Sequence, residues 1–305
     1  MKVNLSVAIG KLMLKNPVMV ASGTFGYAEE FSGFMDLRKL GAIVTKTITI
    51  APRLGNPAPR TCETASGMIN SIGLENPGAD KFIKEKIPYL KKIGVPIIVS
   101  IASEKDPEEF VFLAKKLNNI PAVAALELNI SCPNVHKNTQ LVAQDAQVTY
   151  KVVKKVRAAT RKTLITKLSP NVTDIVSIAK EAEDAGSDCL AMINTLQGMS
   201  IDINNFKPKI AMGSGGLSGP AIRPVAIKMV WDVYRKVKIP IIGMGGIIDT
   251  NSAIEFFLAG STAVAVGTGN FIYPKLTIEI IRGIEAYLEN KGTRNINGIK
   301  GKVLA

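Results

Sequence analysis

The amino-acid sequence predicts an α/β fold, a (β/α)₈ barrel with a small N-terminal hairpin and a long insertion after the second strand. Three observations carry this expectation. Short β-rich runs alternate with segments of helical spacing along the whole chain. The 305 residues suit one such domain, whose usual size is about 250 residues. The first strand is followed by "ASGTFG", which lacks the GxGxxG spacing that a doubly wound dinucleotide fold requires. Residues 1–305 are therefore expected to form a single domain.

In chain order, "VNLSVAIGKLMLKN" reads as a hairpin closing the barrel floor. Eight strands follow: "VMVAS" near 18–22, "AIVTK" at 42–46, "PIIVSI" at 96–101, "VAALELNI" at 123–130, "LITKL" at 164–168, "CLAMIN" at 189–194, "IPIIGMGG" at 239–246 and "AVAVGT" at 263–268. Helical segments lie between them. "DPEEFVFLAKKL" places Asp106 as N-cap, Pro107 at the first helical position and acids in the first turn, where they suit the helix dipole. Its Phe110, Leu113, Ala114 and Leu117 recur at three and four. "VTDIVSIAKEAEDAG" and "TIEIIRGIEAYLENKG" both end in glycine, a usual helix stop. The insertion, 47–78, is rich in Pro and Gly, and a long excursion of this kind is expected to be an ordered wall of the active site.

Composition excludes several classes. The chain is 47% hydrophobic and 21% charged, ordinary for a globular protein. Apolar runs such as "IGVPIIVSIA" fall short of the roughly 18 residues a membrane span needs, and no export signal opens the chain. A cytoplasmic protein is expected, with no membrane partner. Cys62, Cys132 and Cys189 are too few and too scattered for a disulfide framework or a metal site. Any iron–sulfur cluster must then come from a partner. The net charge of +13 rests mainly on lysines of helix faces, and only 6% of residues are aromatic. That favours a solvated surface over a nucleic-acid partner.

Polar residues gather where barrel chemistry gathers, at the C-terminal ends of strands: Ser22, Lys46, Ser100, Asn129, Lys167 and Asn194. Lysines and asparagines ending apolar strands are hard to explain by packing, because a buried lysine is costly unless an anion pairs with it. The glycine turns "GMGG" (243–246) and "GTG" (267–269) follow strands seven and eight, a recurrent phosphate site in barrels. "GSGGLSG" (213–219) adds a third. These residues describe a barrel holding a phosphorylated cofactor beside a polar, lysine-containing pocket.

With those motifs in place, the chain resembles the class 1 dihydroorotate dehydrogenases, FMN-containing barrels of pyrimidine biosynthesis. "NPVMVASGTFG", "GAIVTKTIT", "RLGNPAPR", "NSIGLENPG", "ELNISCPNV", "KLSPNVTDI", "INTLQGMSID", "GGLSGPAIRPVAIKMV" and "IPIIGMGGI" occur in the family's order, from end to end. The cysteine of "SCPN" points to class 1, and the body is most similar to subclass 1B. That subclass works with an iron–sulfur FAD subunit passing electrons to NAD, as a heterotetramer built on a homodimer core.

The resemblance implies roles. Cys132 is the base that takes a proton from C5 of dihydroorotate while a hydride leaves C6 for the flavin. Lys46, Asn70, Asn129, Asn194 and Thr195 hold the substrate, with Ser71, Ile72, Gly73 and Leu74 completing the wall. Amides suit a pyrimidine edge because each offers a donor and an acceptor. FMN contacts fall to Ala21, Ser22, Gly23, Lys46, Thr47, Ser100, Asn129, Lys167, Ile193, Gly219, Gly245, Gly246, Gly267 and Thr268, with Lys167 beside the flavin's N1/O2 edge. Two features depart from the pattern. Ser100 stands where the family usually has asparagine, and "HKNTQLVAQD" lacks the double glycine of 1B sequences, its Q-L step being similar to the fumarate-using 1A homodimers. The only histidine, His136, falls in that loop and is expected to be a loop residue. A tRNA dihydrouridine synthase, another FMN barrel with an active cysteine, would need an RNA-binding helical extension; only about one long helix follows the last strand here.

Overall fold

The computed structural model of the protein describes residues 2–104, 106–131 and 142–304. Eight parallel strands close a barrel: β1 Val18–Val20, β2 Ala42–Val44, β3 Ile97–Ile101, β4 Val123–Asn129, β5 Thr163–Lys167, β6 Cys189–Met192, β7 Ile241–Gly243 and β8 Ala263–Val266. They pair in chain order, and β8 pairs β1 to close the ring. Apolar and β-branched residues dominate these runs. Every residue of β3, β5 and β6 is buried, as expected of strands covered on both faces. Register fixes what meets inside: Ser100 lies opposite Glu127 across β3 and β4, and Asn129 opposite Lys167 across β4 and β5.

Helices enclose the ring, and their starts are written in the sequence. Asp145, Asp174 and Asp249 cap the helices Ala146–Ala159, Ile175–Asp184 and Thr250–Ala259 by accepting from backbone N–H groups of the first turn. The helix expected from Pro107 starts one residue later, at Glu108, with the Asp106 carboxylate accepting from the Glu108 N–H. Its predicted face, Phe110, Leu113, Ala114 and Leu117, is buried. Gly186 and Gly292 follow their helices at φ +101° and +64°, as expected of stop residues.

The first strand–helix unit differs from the repeat. Between β1 and β2 stand two 3₁₀ turns, Glu29–Phe31 and Leu37–Lys39. Gly23, Gly26 and Gly33 make this stretch a poor helix former. Phe25 stacked on Phe31, ring centroids 4.0 Å apart, supplies the apolar cover instead.

At the N-terminus, Val7–Ile9 and Leu12–Leu14 pair as the expected antiparallel hairpin. A Cβ at its turn residue, Gly10, would stand 2.6 Å from the Asp188 side chain, which precedes β6. The hairpin thus sits at the N-terminal end of the barrel, the floor.

The insertion after β2 is structured. Its strands Thr61–Thr64 and Gly67–Asn70 form a hairpin. Gly67–Asn70 also pairs with Gly215–Ser218, which pairs in turn with Leu196–Gly198. Two insertions far apart in sequence thereby build one four-stranded antiparallel sheet.

Candidate active site

A cavity of about 420 Å³ opens at the C-terminal ends of the barrel strands, bounded on one side by that four-stranded sheet. Its floor is made of strand ends. Ala21, Ser22 and Gly23 follow β1, Lys46 and Thr47 follow β2, Asn129 ends β4, Lys167 ends β5, and Ile193, Asn194 and Thr195 follow β6. Asn70, Ser71, Ile72, Gly73 and Leu74 form the wall, and Gly219, Gly245, Gly246, Gly267 and Thr268 the far end. The sequence-predicted residues are therefore brought together, with two exceptions. Ser100 is fully buried and is not among the lining residues; it reaches the cavity through Thr47, whose hydroxyl lies 2.9 Å from its own. Cys132, the expected base, lies outside the described residues, as does His136. The chain enters that segment from Ser131, which lines the cavity and donates its hydroxyl to the Lys167 carbonyl at 2.9 Å.

The floor is a preorganised polar net. Asn129, 8% exposed, donates to the Thr47 hydroxyl at 3.3 Å and accepts from the Asn194 amide at 3.4 Å. The Asn194 side-chain oxygen Oδ1 accepts from the Thr195 N–H at 2.9 Å. Each amide is held by a neighbour yet keeps hydrogen-bonding capacity for a ligand edge. Lys167, 5% exposed, donates to the Ser22 hydroxyl at 3.3 Å, a neutral partner for a buried cation. Such a lysine is poised for an anionic ligand.

Glycine shapes the far end. Gly245 and Gly246 adopt φ +131° and +73°, and a Cβ on Gly246 would fall 2.8 Å from the Gly219 carbonyl, so the turns after β6 and β7 touch. Thr268 donates to the Ser218 hydroxyl at 2.8 Å, joining β8 to the four-stranded sheet. Glycine turns and hydroxyls at the ends of β7 and β8 fit a phosphate, and the buried lysine beside an open floor fits an electron-accepting ring.

The wall is clamped from outside. Gly73 and Leu74 are both left-handed, at φ +76° and +56°. Arg53 donates to the Gly73 carbonyl at 3.1 Å and pairs with Glu104 at 2.9 Å. The buried Asn76 donates to the Leu74 carbonyl at 2.7 Å and ties it to Thr49. Those bonds hold a backbone turn that a leucine would not adopt by itself.

Several lining residues carried no weight in the sequence. Asn171 donates to the Thr195 carbonyl at 3.0 Å and accepts from the Gln197 N–H at 2.9 Å, fixing the segment after β6. The "SPN" step in which it stands was its only signal. Ser131 and Ser218 were hidden in the same way, inside motifs noticed for their cysteine and their glycines. Cys189 is excluded as a reactive thiol, because burial pushes its pKa up and the nearby Asp188 adds to the effect. Among the described residues no cluster of His, Cys, Asp or Glu could hold a metal ion, and no helix is long and apolar enough to cross a membrane.

Comparison with known proteins agrees with this geometry. Residues 4–288 match the family model described as dihydroorotate dehydrogenase. A protein of Trichlorobacter lovleyi named "Dihydroorotate dehydrogenase B (NAD(+)), catalytic subunit" is 52% identical over 301 residues, 99% of each chain. Relatives of the same name from Geotalea uraniireducens and Caldicellulosiruptor bescii are 50% and 49% identical, over 99% and 98% of this chain and 99% of each of theirs. With a polar barrel mouth of the expected composition and matches along nearly its whole length, the chain belongs to the dihydroorotate dehydrogenase family.

Proposed function

We propose that this chain is the catalytic subunit of a class 1B dihydroorotate dehydrogenase, oxidising dihydroorotate to orotate with FMN in the cavity. The observation that carries the reading is the convergence of Lys46, Asn70, Asn129, Asn194 and Lys167 on one cavity closed by glycine turns. FMN, when bound, accepts the hydride leaving C6. Cys132 takes the C5 proton. Asn70, Asn129, Asn194 and Thr195 hold the pyrimidine edge, and Lys46 faces the carboxylate. Lys167 sets a cation beside the flavin, where it favours the electron-rich reduced ring. Ser22, Thr268 and the turns at Gly245–Gly246 and Gly267 hold the cofactor.

The three cysteines cannot ligate an iron–sulfur cluster. In this reading, as the resemblance to subclass 1B implies, electrons pass to NAD through a second, iron–sulfur and FAD-containing subunit, in a heterotetramer around a homodimer of this chain. The relatives' names, catalytic subunits of an NAD(+) enzyme, support that partner. A cytoplasmic location accords with this chemistry.

The test is anaerobic. Dihydroorotate is added to the FMN-loaded chain, the flavin absorbance is followed, and fumarate or NAD is then supplied. Bleaching that neither acceptor reverses is expected, with recovery by NAD once the partner subunit is present. Recovery with fumarate alone would instead assign the chain to the 1A homodimers. Bound FMN that dihydroorotate does not bleach would refute the activity.

A further inference from the structure

Glu127 has no role in the reading above, yet it is the most conspicuous charge in the barrel. It is 2% exposed, and among the described residues its Oε1 accepts no hydrogen bond. Among the described residues no ion pair reaches it. Its direction follows from register. Ser100 stands opposite on β3 and Ile165 on β5. Asn129, two residues further along β4 and on the same face, lines the cavity. Cys189, opposite Ile165, is near enough to feel the carboxylate's charge. Glu127 therefore points into the barrel, one layer beneath the cavity floor, about 7 Å along the strand from Asn129.

A buried carboxylate oxygen without a hydrogen-bond partner among the described residues is costly. What the position does offer is electrostatic. Lys46 and Lys167 stand one layer above, at the mouth of the same barrel, and Lys167 lies diagonally across the β4–β5 pair from Glu127. Both the product carboxylate and the reduced flavin add negative charge to that mouth. Through a low-dielectric barrel, a fixed anion beneath them acts over this distance.

Resting on the proposed function, we infer that Glu127 is a buried counter-charge that lowers the reduction potential of the bound flavin and weakens the hold on anionic product. It is a positioning residue in the electrostatic sense: it touches neither substrate nor cofactor, and acts on them through its field. Its effect is to keep the two lysines from over-stabilising reduced flavin and orotate, so that electrons and product leave.

The test uses the FMN-loaded chain and the variants Glu127→Gln and Glu127→Asp. The flavin midpoint potential is measured with mediator dyes, and orotate affinity by titration of the flavin absorbance. For Glu127→Gln, orotate is expected to bind roughly tenfold tighter. The potential is expected to move positive by about 30 mV, the equivalent of tenfold for a two-electron couple. Glu127→Asp, which keeps the charge, is expected to stay near the parent in both. A glutamine variant that changes only the melting temperature, or an aspartate variant that shifts as far as the glutamine, would overturn the inference in favour of packing. If Glu127→Gln does not fold, the reduced-minus-oxidised infrared spectrum of the parent decides. Carboxylate bands that move on reduction support a charged Glu127, provided that Glu127→Asp displaces them; a neutral-acid band at Glu127 overturns it. The potential is read without dihydroorotate, so an unexpected substrate leaves that arm intact.

Discussion

At the residue scale, what marks the site is polarity out of place. Asn129 and Lys167 end strands that are otherwise mainly apolar and buried, and both were readable for that reason. Ser131 and Asn171 were not, because a polar residue just past a strand end is ordinary and only its partner shows what it holds. Cys132→Ala is expected to slow flavin reduction by dihydroorotate about 10²- to 10⁴-fold while FMN binding is retained, measured by anaerobic stopped flow. In the parent that rate is expected to rise with pH towards the ordinary thiol pKa of about 8.5, since only the thiolate accepts a proton. A flat profile would remove Cys132 as base. Asn129→Ala withdraws the link between Thr47 and Asn194 and, under the proposed function, a contact to substrate. A fall in kcat/KM of about 10- to 100-fold is expected, read in steady-state assays with the partner subunit.

At the element scale, a helix start and the existence of the wall were legible, and the strand pairing that builds the wall was not. Asp249 shows why caps are easy: one side chain accepts from the Ser252 N–H at 2.7 Å, an interaction local in sequence. Burial would raise its pKa, but the Ser252 backbone and hydroxyl, with the charge of Arg223, outweigh it and hold the carboxyl below its ordinary value. Asp249→Ala is expected to cost about 1 kcal/mol in urea melts near neutral pH. A depressed carboxylate stabilises only above its unfolded pKa, so the deficit is expected to shrink as pH falls below about 4. The wall depends on pairing between segments about 150 residues apart, Gly67–Asn70 with Gly215–Ser218. Neither "GMIN" nor "GGLS" carries an alternating pattern strong enough to announce a strand. Gly67→Ala tests that sheet: its Cβ would stand 1.9 Å from the Ser218 carbonyl. A raised KM for dihydroorotate with little loss of barrel circular dichroism is expected.

At the scale of the whole molecule, the barrel positions the chemistry and, in the proposed enzyme, the surface positions a partner. The net charge is +13, and many of its lysines stand on the barrel's helices, among them Lys91, Lys92, Lys115, Lys116, Lys151, Lys154 and Lys155. If that surface docks the electron-transfer subunit, association measured by sedimentation is expected to weaken steeply between low salt and about 0.5 M, where exposed charges are screened beyond a few ångströms. Salt-insensitive association would leave the basic surface without that role.

The sequence by itself determined the barrel, the order of its strands, one helix start to within a residue and the polar strand ends that floor the cavity. Those features are encoded locally, in periodicity, in caps and in the rule that barrel chemistry gathers at the C-terminal ends of strands, while the remaining predicted cavity residues came from the resemblance to a known family. The tertiary structure alone decided three things. It joined two glycine-rich insertions into one sheet, it removed Ser100 from the cavity surface behind Thr47, and it turned Glu127 inward beneath the floor. Each rests on register between distant strands, where a shift of one residue would turn a side chain to the opposite face.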